Sequence, residues 1–165
     1  MSILLILLPL ATALILFLPF ETAAKRVIAI IGSAATLAAA LFVPASRLEA
    51  AWLPGIEAYF SIDSSGAAGP LITVAALMII PTVVVAGQKI EQAKGTFLAL
   101  LLLMQASLNG LFLAKDLLLY YVFWEATLIP SLLMLGIWGG EKRREATFKY
   151  LVYAVTSSFL MLIAI

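Results

Sequence analysis

Glu125 is the one charged side chain in Leu117–Trp138 (LLLYYVFWEATLIPSLLMLGIW), a run of 22 residues. The run is long enough to cross a bilayer, and Glu125 stands near its middle. A carboxyl at that depth is costly, so it usually faces a protein interior or a water-filled path. Pro130 follows five residues later. It has no amide N–H, so the carbonyl of Ala126 is expected to lose its helical partner and the helix to bend beside the acid. A mid-membrane acid beside a helix distortion suits a site that binds and releases a proton. The bland alternative is a buried carboxyl that hydrogen-bonds a neighbouring helix and holds packing.

Other polar groups could serve the same chemistry. The stretch TFLALLLLMQASLNGLFLA contains Gln105, Ser107 and Asn109. Amides in hydrocarbon need partners, so these should face neighbouring helices or internal water. They read as interhelical glue or as the lining of a hydrated path near Glu125, and Thr156, Ser157 and Ser158 invite the same two readings. Lys149 reads as a snorkelling residue at the membrane edge, with proton entry as its functional alternative. Lys115 and Asp116 fall in a tight turn where both can be solvated.

Composition fixes what must hold these groups. The chain is 64% hydrophobic and 12% charged, against about 25% charged for soluble domains. A net charge of +1 points to no nucleic-acid or polyanion partner. No cysteine and no histidine are present. That removes disulfides, thiolate metal sites, cysteine-held iron–sulfur clusters and the commonest haem and zinc ligand. Redox chemistry is therefore expected in other subunits, with no metal or cofactor on this chain.

Six apolar spans are predicted, at about 3–20, 27–43, 71–86, 96–114, 117–138 and 150–165. The class is all-α, a polytopic transmembrane helix bundle forming a single region. The first span has neither the basic start nor the cleavage site of a signal peptide. The last ends in TSSFLMLIAI without cap or breaker, and the chain is expected to be the front part of a longer one. Pro54-Gly55 and Ser64-Ser65-Gly66 are turn signals for a hairpin in the connection 44–70. Among basic residues, Arg47 and Lys115 fall on one side. Lys25, Arg26, Lys89, Lys94, Lys142, Arg143, Arg144 and Lys149 fall on the other. The second side should be cytoplasmic and the N-terminus outside.

The stretch 115–165, above all DLLLYYVFWEATLIPSLLMLGIWGG and FKYLVYAVTSSFLMLIAI, closely resembles the chain M type, antiporter-like membrane subunits of proton-pumping NADH:quinone oxidoreductase, respiratory complex I. FLALLLLMQASLNGLFLAKD upstream also resembles that family, and residues 1–95 match it mainly in layout. The family often carries an Asp-Gly motif entering its third helix, where this chain has Ile62-Asp63-Ser64-Ser65-Gly66. The resemblance implies a subunit of about fourteen helices with two inverted five-helix repeats, of which these residues form the N-terminal part. It implies that Glu125 matches the family's essential glutamate, paired with a lysine on a later broken helix beyond Ile165. It also implies other membrane-arm subunits as partners, beside the lipid of a cytoplasmic (inner) membrane. NADH, flavin, iron–sulfur clusters and quinone would be held by those partners. Two alternatives stay open: a subunit of a multisubunit sodium/proton antiporter, and a non-transporting assembly scaffold.

Overall fold

A computed structural model describes residues 1–42, 44–53, 55 and 58–165. Val43, the predicted end of the second span, and Pro54 of the first turn signal lie outside the described residues. The helices are α1 (Leu4–Leu16), α2 (Thr22–Phe42), α3 (Ala68–Lys89), α4 (Lys94–Leu113), α5 (Leu117–Trp138) and α6 (Arg143–Ala164), with strands β1 (Arg47–Leu53) and β2 (Ala58–Asp63) between α2 and α3. Five helices are long and apolar enough to cross a membrane, and α1 is the shorter sixth. The chain is an all-α polytopic membrane bundle with one external hairpin.

The helices depart from the apolar windows for physical reasons. α1 stops at Leu16, and its last turn tightens into bonds from Phe17 N to Leu14 O and from Leu18 N to Ile15 O. Pro19 follows and disfavours helical backbone at the residue before it. α2 and α6 begin earlier than hydropathy suggests, at Thr22 and Arg143. Backbone hydrogen bonding continues through their basic residues, whose stems can reach water from a helix end. α5 occupies the predicted range and stays helical through Pro130. Asp116 starts it, its Oδ1 accepting from the amides of Leu118 (2.9 Å) and Leu119 (3.1 Å). That cap satisfies two donors left over at a helix start.

α4 is the centre. It packs against α1, α2, α3 and α5, whereas α6 packs mainly on α5. Its glycine Gly110 lies so close to the ring of Phe123 on α5 that a Cβ there would collide with it. Gly32 on α2 meets Thr12 on α1 in the same way. Small residues let membrane helices approach closely, which is how packing replaces the hydrophobic effect in lipid. The core divides into two apolar clusters. One, including Ala13, Leu16, Val83, Leu98 and Leu102, lies toward the α3–α4 turn. The other, including Leu5, Ile6, Ile62, Ile72, Leu113 and Leu119, lies toward the hairpin.

The expected hairpin forms, with Arg47 opposite Asp63, Leu48 opposite Ile62 and Ala50 opposite Phe60. The α4–α5 turn extends it: Ala114 bridges Ile62, and Lys115 N donates to Ser61 O at 2.9 Å. Asp116 therefore does more than sit in a solvated turn, since its Oδ2 also accepts from Tyr59 N at 3.3 Å. The N-terminus is tied to the same end. Ser2 Oγ lies 2.7 Å from Ser46 Oγ and 2.9 Å from Ser64 Oγ, and Ser2 is fully buried.

Candidate functional site

Glu125 sits on a half-buried turn of α5, and its Oε1 is buried with no hydrogen-bond partner among the described residues. Helical spacing shows which neighbour it faces. Phe123 and Ser131 mark the α4 side of α5, through Gly110 and the sulfur of Met104. Tyr121 marks the α6 side, accepting from Ser158 Oγ at 3.2 Å. At 100° per residue, Glu125 lies about 40° from Tyr121 and about 160° from Phe123. It belongs to the α6 side. A groove of about 290 Å³ opens there, lined by Trp124, Leu128, Tyr150, Tyr153, Ala154 and Ser157. Two of those residues flank Glu125 in its own helical turn and the next.

Gln105 and Asn109 lie elsewhere. Both are fully buried, and their i, i+4 spacing puts them on one face of α4. Asn109 Nδ2 donates to Leu5 O of α1 at 2.7 Å. The bond has a cause in the sequence: Pro9 lies four residues after Leu5 inside α1 and brings no N–H to that carbonyl. Asn109 replaces the missing donor. The face carrying it turns away from Gly110 and so away from α5. The structure brings Gln105 and Asn109 together but does not bring them to Glu125. Asn109 Oδ1 and both polar atoms of Gln105 are buried without partners among the described residues.

Lys149 is exposed, and its Nζ lies 2.6 Å from Glu145 Oε1 one turn earlier on α6. The contacts of Tyr121 with Ser158 and of Gly136 with Thr147 set the α5–α6 register. On it Lys149 stands near the level of Leu133, about 12 Å along the axis from Glu125. Ser107 and Thr156 satisfy their hydroxyls on the carbonyls four residues back. Backbone freed at Pro130 has hydroxyls nearby: Ser131 Oγ donates to Thr127 O at 2.7 Å, and Thr127 Oγ1 to Trp124 O at 2.7 Å.

Sequence reading missed two features. The Asn109–Leu5 bond had one local signal, a proline four residues beyond a helical carbonyl. The clustering of Ser2, Ser46 and Ser64 had none, because it joins positions separated by 44 and 62 residues.

Comparison with known proteins gives a consistent pattern. Residues 114–165 match the model of a family described as NADH:quinone oxidoreductase/Mrp antiporter, transmembrane. A NAD(P)H-quinone oxidoreductase chain 4 of Microcystis aeruginosa is 37% identical over 113 residues, covering 68% of this chain and 20% of that protein. NADH-quinone oxidoreductase subunit 13 of Thermus thermophilus is 38% identical over 121 residues, with coverages of 73% and 25%. F(420)H(2) dehydrogenase subunit M of Methanosarcina mazei is 30% identical, with coverages of 98% and 35%. The chain thus spans between a fifth and about a third of the length of these relatives. Among solved structures, a chain of Thermus thermophilus respiratory complex I with bound NADH superposes with a TM-score of 0.86 at 33% identity, covering 99% of this chain and 35% of that one.

Proposed function

Residues 114–165 place this chain in the NADH:quinone oxidoreductase/Mrp antiporter transmembrane family, and from that premise we propose that it acts in the membrane arm of a quinone reductase, with Glu125 binding and releasing the translocated proton. The observation that carries this reading is the buried, unpartnered Oε1 of Glu125 in the middle of a membrane-length helix. A cation that approaches or leaves such a carboxyl changes the electrostatic energy of its charge, strongly so where water is scarce. Moving that cation moves a proton. The lysine that the family resemblance implies would be the cation, and the groove along α6, lined in part by Trp124 and Leu128, opens next to the acid.

Electron transfer would take place in partner subunits that hold flavin, iron–sulfur clusters and quinone. No group of three or more His, Cys, Asp or Glu residues that could hold a metal is found among the described residues. The relatives' names mention NADH, NAD(P)H and F420H2. A shared membrane segment beside different donors fits a part that handles protons and leaves the donor to others. We place residues 21–26, 87–95 and 139–149 on the cytoplasmic side and the hairpin outside, from the eight-to-two split of basic residues. Single cysteines at Gln88 and Ser46 should label from opposite faces of the membrane.

The decisive experiment is Glu125→Gln in the intact complex. It keeps size and hydrogen bonding but removes the charge. Pumping, with the electron transfer coupled to it, should fall at least tenfold with assembly preserved. Normal pumping in an assembled mutant would make Glu125 a packing residue. The family description also names Mrp antiporters, which supports a second reading as a sodium/proton antiporter subunit. That reading expects sodium-driven proton movement in vesicles without any quinone reduction.

A further inference from the structure

We infer that the α1–α4 half of the molecule holds an internal water between Gln105 and Asn109, separate from the Glu125 site. Three observations meet at this point. Gln105 and Asn109 are both fully buried, and three of their polar atoms have no partner among the described residues. Their side chains stack one turn apart on α4, at about 5–6 Å, a gap that one water bridges with two ordinary hydrogen bonds. A buried water typically makes about three bonds, and Gln105 Nε2, Gln105 Oε1 and Asn109 Oδ1 supply that number.

The place in the fold agrees. The two amides lie between the two apolar clusters of the core. The registers set by Asn109 on Leu5 and by Gly32 on Thr12 bring Pro9 and Thr36 to about the level of Gln105. Thr36 Oγ1 already donates to Gly32 O at 2.8 Å, so its lone pairs can only accept. An amide left dry here would forfeit its hydrogen bonds altogether, which is the costly outcome for a buried polar group. Water is favoured over a cation. Among the described residues no carboxylate is buried in this layer, and an ion there would lack a counter-charge.

The test uses the complete protein in its membrane complex, in nanodiscs, with water itself as the probe. Radiolytic hydroxyl labelling in H2(18)O marks side chains beside bound water. Leu5 and Leu102, both buried, should take up label. Gln105→Met, close in volume and without the amide, should reduce that uptake at least fivefold and leave Trp52, exposed on the hairpin, unchanged. Absence of label at Leu5 and Leu102 in the wild type, or undiminished label in the variant, overturns the inference. A high-resolution map of the wild type keeps the question decidable if the variant does not fold. Density for a water within about 3.2 Å of the Gln105 amide supports the site. A direct bond from that amide to a protein atom, or an amide without any neighbouring density, refutes it.

Discussion

α4 and α5 are both apolar helices that carry a polar side chain within the span, yet they use it in opposite ways. Two thirds of the apolar window of α4 is buried (67%), against 11% for α5 and 6% for α6. α4 spends Asn109 on a neighbour whose proline has orphaned a carbonyl. α5 leaves the Glu125 oxygen without a partner among the described residues, on the side of the helix that faces α6. A polar group that completes a neighbour's backbone fixes structure. One that waits beside an open groove can change its partner, as the proposed proton step requires.

The contrast predicts that the two residues fail differently. Glu125→Gln should cost the most activity and little stability, since no hydrogen bond among the described residues depends on that oxygen. Glu125→Asp should be milder, because the charge remains with one methylene less. Asn109→Leu should do the reverse. It strands the Leu5 carbonyl, so we expect a loss of about 1–3 kcal/mol of stability, read as a lower Tm of the purified complex at near-normal specific activity. Should Asn109→Leu abolish pumping at unchanged Tm, the division of labour argued here collapses.

Gly110 tests the seam between the two regions. Gly110→Val should drive a side chain into the Phe123 ring and destabilise by about 1–3 kcal/mol through overpacking. Adding Phe123→Leu should restore part of that loss, since space rather than chemistry is at fault. A double variant no better than Gly110→Val would mean that the helices do not meet as described. Ser158→Ala is a smaller probe on the α6 side. It removes one bond to Tyr121, for about 0.5–1.5 kcal/mol, and a chemical denaturation series on the complex would resolve it.

How much of this was legible depended on sequence distance. The range of α5 could be read directly, because an apolar run with a single charge starts after Lys115-Asp116 and ends at Gly139-Gly140. The starts of α2 and α6 could not, since hydropathy ignores helical turns whose basic residues reach water. Glu125 stood out because charge in hydrocarbon is rare. The roles of Asn109 and Ser2 were hidden, because each rests on a contact with another element far along the chain. Helical spacing alone can put Gln105 and Asn109 on one face. It could not say that the face belongs to α1 rather than to α5.

The smallest expected effect lies outside the membrane, at Asp63 on the hairpin. Its carboxylate accepts from Ser65 N and Ser65 Oγ, both at 2.8 Å, and lies 3.9 Å from Lys115 Nζ. Hydrogen bonds from Ser65, followed by the charges of Lys115 and Arg47, hold its pKa below the ordinary aspartate value despite some opposing desolvation. A depressed folded-state pKa stabilises above the unfolded value, about 3.9, and that stability is lost as pH falls through the folded one. Asp63→Asn should therefore lower Tm slightly and by the same amount from pH 8 to pH 5. The difference from wild type should shrink below about pH 4 and vanish once the wild-type carboxyl is protonated. Salt should trim it only partly, because the leading contribution is a pair of short hydrogen bonds and screening weakens mainly the ion pairs. A difference that stayed constant as pH falls would count against the carboxylate, and one that salt erased entirely would shift the explanation from the Ser65 bonds to long-range charge.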